Sequence, residues 1–227
     1  MRKRKRPPYL AKPSTPSADQ ARPNQHASGL SPDIPDRLRL LRAAHEAGHA
    51  ITIEVCENMK LGPTFIQTGT DEIGHLYHGM SEYQSLDTTE EGATRDAAAR
   101  LLIVSSGRIA QEMVVEDLRY EDAFAWMNDY AYAHAHANNY FRDHGATYES
   151  QGVQGAGQVV ELADRLAAQV LTANVQAFAA TTKLINLTGT ASADAVRDAV
   201  DRAGRVGAAR WLDQLSELLT SLCRSFV

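Results

Sequence analysis

The stretch that most constrains this chain is Ala43-Ala44-His45-Glu46-Ala47-Gly48-His49-Ala50. It sits where Leu38, Leu41, Ala44 and Gly48 recur at spacings of three and four, with Val55 one heptad past Gly48. That pattern predicts one helix, entered at Pro32 and Pro35 near Ser31–Asp36 and running to about Asn58. Four residues is a little more than one turn, so His45 and His49 project from nearly the same face and can share one metal ion. Glu46 is displaced from His45 by about 100° around the axis, within reach of a metal-bound water rather than of the metal. A glycine inside a helix costs about 1 kcal/mol, so Gly48 calls for a backbone packed closely against it. With eight His and 13 Glu in 227 residues, roughly 0.02 matches to His-Glu-x-x-His are expected by chance. A surface helix that happens to carry two histidines is therefore the weaker reading.

The chemistry gives each residue a task. Zinc bound by three protein ligands keeps one position for water and lowers its pKa to about 7. A carboxylate within hydrogen-bond reach takes the proton as that water attacks a carbonyl, and can hand it to the leaving amine. Two histidines need a third ligand. His26 lies in the N-terminal tail, and His75 and His78 lie in a segment read as β. His134 and His136 are two apart and face different ways on a helix, and His144 falls at a helix end. Asp122 and Asp129, on the third predicted helix, are better placed.

Beyond the first helix, Pro63–Gly69 is β-branched and aromatic, Thr70-Asp71-Glu72 is turn-like, and Gly74–Gly79 offers a second short strand. Thr88-Thr89-Glu90-Glu91 reads as a capping box, with Thr88 as N-cap and Glu91 at N3. It should open an alanine-rich helix past Met113, interrupted by Gly107 where another backbone packs closely. Further helices are predicted over Asp122–Arg142 and Gln158–Asn186, with a loop over residues 145–157 between them. A last stretch runs from an N-cap at Ser192 to Phe226, broken near Gly204–Gly207. The fold class is mainly α, with one small β hairpin or sheet.

Composition sets the remaining limits. Residues 1–40 carry a net charge of +6 and residues 41–227 carry −11. Seven of the eight prolines precede residue 36. Residues 1–30 thus read as a disordered basic tail, and residues 31–227 as the folded domain. Arg2-Lys3-Arg4-Lys5-Arg6 offers weak binding to nucleic acid or an anionic surface. Two cysteines, Cys56 and Cys223, are too few for a disulfide framework, which makes a reducing compartment, the cytoplasm, the default. No run of 18 apolar residues suggests a membrane span. No Gly-x-x-x-x-Gly-Lys-Ser/Thr occurs, which excludes a P-loop ATPase.

Ala44-His45-Glu46-Ala47-Gly48-His49-Ala50, preceded by a turn with Arg37, Arg39 and Arg42, resembles the peptidase domain of the FtsH family. Those proteins are membrane-anchored, ATP-dependent zinc metalloproteases. The segment Thr64–Gly79 is similar to the hairpin that follows their motif. Gly107-Arg108-Ile109-Ala110-Gln111-Glu112 is similar to their Gly-Arg-x-Ala-Glu-Glu, with Ser106 and Gln111 where the family usually has Gly and Glu. The family's third ligand is an Asp in an Asn-Asp pair, with alanines four and eight residues on. Asn128-Asp129 with Ala133 and Ala137 matches, whereas Asp122 would place Trp126 at the first alanine.

The resemblance covers about residues 36–200. It implies a helical zincin-type domain with zinc on His45, His49 and Asp129, and Glu46 as general base. The implied activity is hydrolysis of peptides or unfolded chains without ATP, since no counterpart of the ATPase module or the anchor is found. Self-association into a homo-oligomer stays open. Two rivals remain. One is a non-catalytic adaptor or regulator with a structural zinc, which would have no use for Glu46. The other is a metallohydrolase acting on a non-peptide amide or ester.

Overall fold

The computed structural model describes residues 36–68, 77–86, 89, 92–115, 120–144 and 152–225. Its elements, in chain order, are α1 (Asp36–Val55), β1 (Met59–Thr68), β2 (Tyr77–Ser85), α2 (Ala93–Val114), α3 (Tyr120–Asp143), α4 (Gly152–Ala173), α5 (Val175–Thr188), β3 (Thr190–Ala191), α6 (Ala193–Ala203) and α7 (Ala209–Ser225). The protein is mainly helical with one small antiparallel sheet, as the sequence pattern predicts. The basic tail lies outside the described residues. None of the described helices is long and apolar enough to cross a membrane.

α1 is the central element. Ala43, Ala44, Ala47, Ala50, Ile51 and Ile53 are fully buried, and the helix is packed by α2, α5, α6 and both long strands. A helix enclosed on this many sides must be small or apolar around most of its circumference, which accounts for its alanines. The apolar core runs without a break from α1 to α7. Residues beyond 201 belong to it through Trp211, Leu212, Leu215 and Leu219, all fully buried.

The sheet has the order β2-β1-β3. β1 and β2 pair antiparallel from Met59↔Ser85 to Thr68↔Tyr77, with one register shift between Leu61 and Thr64. Gly62 and Pro63 occupy that shift. A proline has no N–H to give a ladder and suits a bulge. Both strands are longer than predicted, and α1 ends at Val55 rather than Asn58. The predicted turn at Thr70–Glu72 lies outside the described residues. The third strand, β3, pairs Thr64↔Ala191 and Phe65↔Thr190. Two residues are too few to carry a strand periodicity, which is why the pattern does not reveal it.

Two boundaries differ from expectation for local reasons. α2 opens at Ala93 with Gly92 as N-cap and no side-chain cap. Thr89 Oγ1 accepts the Gly92 N–H at 3.1 Å in the turn ahead of the helix. The predicted partners Thr88 and Glu91 lie outside the described residues. The single helix predicted over Gln158–Asn186 is two helices, α4 and α5, parted at Asn174. The buried Asn174 amide donates to the Val170 carbonyl at 3.0 Å and to the Val206 carbonyl at 3.1 Å, and its Oδ1 accepts from Val206 N–H at 3.1 Å. Asparagine competes for backbone groups in this way and interrupts helices. The end of the chain follows expectation: Ser192 Oγ caps α6 by accepting the Ala195 N–H at 3.2 Å, and Gly204, with φ +82°, ends it.

Candidate metal centre

α1 supplies His45, Glu46 and His49, and α3 supplies Asp129. His45 Nε2 and His49 Nε2 are 3.1 Å apart. Asp129 Oδ2 is 3.1 Å from the first and 3.3 Å from the second. Among the described residues, His45, His49 and Asp129 are the three-residue group that could hold a metal ion.

Two glycines make this approach possible. A Cβ on Gly48 would stand 2.5 Å from the Ser106 carbonyl oxygen and 2.6 Å from Ala110 Cβ. A Cβ on Gly107 would stand 2.6 Å from His49 Cε1 and Nε2 and 2.7 Å from His45 Cε1. The close neighbour that Gly48 requires is therefore α2, and Gly107 is the floor on which both imidazoles lie. The ring of His49 is fixed from behind, since its Nδ1 is 2.7 Å from the Ile103 carbonyl oxygen. That carbonyl can only accept, so Nδ1 carries the proton and Nε2 of the neutral ring offers its lone pair to the centre. The Ser106 hydroxyl donates to the same carbonyl at 2.5 Å.

The donor set fits a divalent ion. Two imidazole nitrogens and a carboxylate oxygen are acceptors that repel at these distances unless a cation or a proton lies among them. A tetrahedral ion with bonds of about 2.0–2.2 Å would hold such atoms about 3.3–3.6 Å apart, close to the spacing found. Without metal, a proton does the same work. Burial opposes a charge on His49, but the Asp129 carboxylate outweighs it, with Glu46 and the Ile103 carbonyl adding, and the pKa rises from 6.5 to about 9. Burial favours the neutral acid at Asp129, yet His45 and His49 hold it well below the usual carboxylate range.

Glu46 is almost fully buried, at 2% exposure. Its carboxylate lies against β2, where the Ser81 hydroxyl donates to Oε2 at 3.0 Å or to the Glu46 carbonyl at 3.1 Å. Gly79 and Ser81 are the neighbours that sequence reasoning missed. Small residues two apart on one strand face are the signal that could have found them.

The other candidates fall elsewhere. The side chains of His78 and Asp122, and the whole of His26 and His75, lie outside the described residues. His134 packs edge-on against the Tyr130 ring, at 4.5 Å between centroids. His136 is biased toward its neutral form by burial and by Arg100. His144 lies over Tyr140, with Nδ1 2.8 Å from the Tyr140 carbonyl oxygen. None of these three joins the group.

Compared with known proteins, the chain matches no family model, and no curated protein sequence matches it.

Proposed function

We propose that this protein is a zinc metallopeptidase of the FtsH-peptidase type, cutting peptides or unfolded chains without ATP. The observation that carries the reading is the convergence of His45, His49 and Asp129 at 3.1–3.3 Å, with Glu46 buried one residue after His45. A purely structural metal would leave that carboxylate without a task. Zinc held there would supply a water of lowered pKa and polarise the scissile carbonyl. His49 is oriented by Ile103, and Asp129 balances the charge of the centre. Glu46 accepts the proton of the attacking water and passes it to the leaving amine.

Metal analysis combined with a peptide-library assay tests this. One zinc per chain should co-purify, and His45→Ala, His49→Ala or Asp129→Ala should lose it while Asp122→Ala keeps it. Glu46→Gln should keep zinc and lower cleavage by about 10²–10⁴-fold, the usual worth of general acid–base assistance. A folded wild-type protein that stays metal-free in excess zinc would end the reading. The same residual activity in wild type and Glu46→Gln on every peptide tried would leave a non-catalytic metal-binding protein.

A further inference from the structure

α1 and β2 meet at the site through small residues. Gly79 and Ser81 are two apart on β2, so they face the same side of the strand, and both touch Glu46. A Cβ on Gly79 would collide with Glu46 Oε1 and stand 2.7 Å from its Cδ and Cγ. The Ser81 hydroxyl lies 3.0 Å from Oε2. The bulge at Gly62–Pro63 sets the register that puts Ser81 opposite Thr64 and Gly79 opposite Ile66. One carboxylate oxygen is therefore tethered by a hydroxyl, while the rest of the group lies over bare backbone.

We propose that Ser81 is the positioning residue for Glu46, with Gly79 supplying the space the carboxylate occupies. The inference rests on the peptidase reading, in which Glu46 is the base. A glutamate has three side-chain torsions, and a base must stay within hydrogen-bond reach of the proton it takes. Ser81 holds Oε2 by a hydrogen bond to a charged acceptor, stronger than one between neutral groups. Oε1 is then left to receive the proton from water. Without the hydroxyl, the carboxylate loses its tether on the strand side. With a side chain at residue 79, it is pushed out of place.

The experiment has two arms. In metal-free protein, a double-mutant cycle of Ser81→Ala and Glu46→Ala, read by denaturant unfolding, should show coupling of about fivefold or more in the unfolding equilibrium constant. Additive single effects would overturn the inference whatever the activity. In zinc-loaded protein, Ser81→Ala and Ser81→Val should lower kcat about tenfold or more, with KM within about twofold and zinc content unchanged. Ser81→Thr, which restores the hydroxyl on the shape of valine, should recover most of kcat. Gly79→Ala should resemble Ser81→Ala. If Glu46→Gln is inactive but Ser81→Ala and Ser81→Val turn over like wild type, the positioning role fails and the peptidase reading stands. If Glu46→Gln is as active as wild type, the peptidase reading fails, and the positioning role for a base fails with it.

Discussion

Two helix interfaces in this protein are built in opposite ways. Where α1 crosses α2, the contact is made by Gly48, Ser106, Gly107 and Ala110, with no room for another carbon at either glycine. Where α7 packs on α2 and α4, it buries Trp211, Leu212, Leu215 and Leu219. The Trp211 indole N–H donates to Gln169 Oε1 at 3.0 Å. The second interface removes large apolar areas from water, at about 25 cal/mol per Å². At the first, bare backbone and small residues stand where the helices meet at the site. There a backbone carbonyl reaches an imidazole and three ligand atoms come within 3.3 Å. Large apolar side chains are gathered at one interface and the candidate metal ligands at the other, so substitutions in the two should separate.

The largest expected stability effect belongs to the bulky interface. Leu215→Ala should cost about 2–5 kcal/mol through lost burial and the cavity left behind, and the protein that remains folded should still bind one metal per chain. A cost below about 1 kcal/mol would show that α7 is an appendage. Next comes Gly48→Ala. At an open helix position this change would gain about 1 kcal/mol of propensity. Here the added methyl meets the Ser106 carbonyl, and overpacking of this kind costs about 1–3 kcal/mol. A stabilised Gly48→Ala variant would break the comparison. Gly107→Ala sharpens it, since its methyl meets imidazole rings rather than backbone. Metal affinity should fall about 10–100-fold, the scale on which displaced ligand supports act, with a smaller change in denaturation midpoint than for Gly48→Ala. Metal titration and unfolding of the same samples would check both.

What was legible in the sequence follows the same division. Three of the four proposed site residues lie within five consecutive positions of one helix, and helical spacing alone places His45 and His49 together. Asp129 lies 80 residues from His49. Spacing does not separate it from Asp122, and only the resemblance carried by Asn128, Ala133 and Ala137 favours it. Gly48 and Gly107 were readable as close-approach positions because a mid-helix glycine needs a reason. Ser81 was not, because a serine in a strand has many uses and its partner is 35 residues away. The break at Asn174 was hidden for a similar reason. Apolar periodicity continues across it, and the groups that fix it, the Val206 N–H and carbonyl, lie 32 residues on.

The last effect expected concerns protons at the centre. Without metal, His49 keeps its proton up to a pKa of about 9 because Asp129 stands beside it. A metal needs the neutral ring, so binding below that pH must expel one proton. Apparent affinity should therefore rise about tenfold per pH unit between about 7 and 9 and then level off, since each unit below the pKa leaves tenfold less neutral ring. Calorimetry in buffers of different ionisation enthalpy should find about one proton released per metal at pH 7. The metal-free protein should behave in the opposite sense. A histidine whose pKa is raised by folding stabilises the fold fully below its unfolded value near 6.5, and that contribution is lost as pH rises through about 9. The melting temperature in chelator should thus sag from pH 6.5 to 9 while that of the metal-loaded protein holds. Leu215→Ala should shift both curves down together, because nothing it touches titrates with the site. Gly107→Ala should narrow the gap between them, because it moves the rings that both proton and metal bind. Parallel curves for wild type with and without metal would mean that His49 and Asp129 do not share a proton in the free protein.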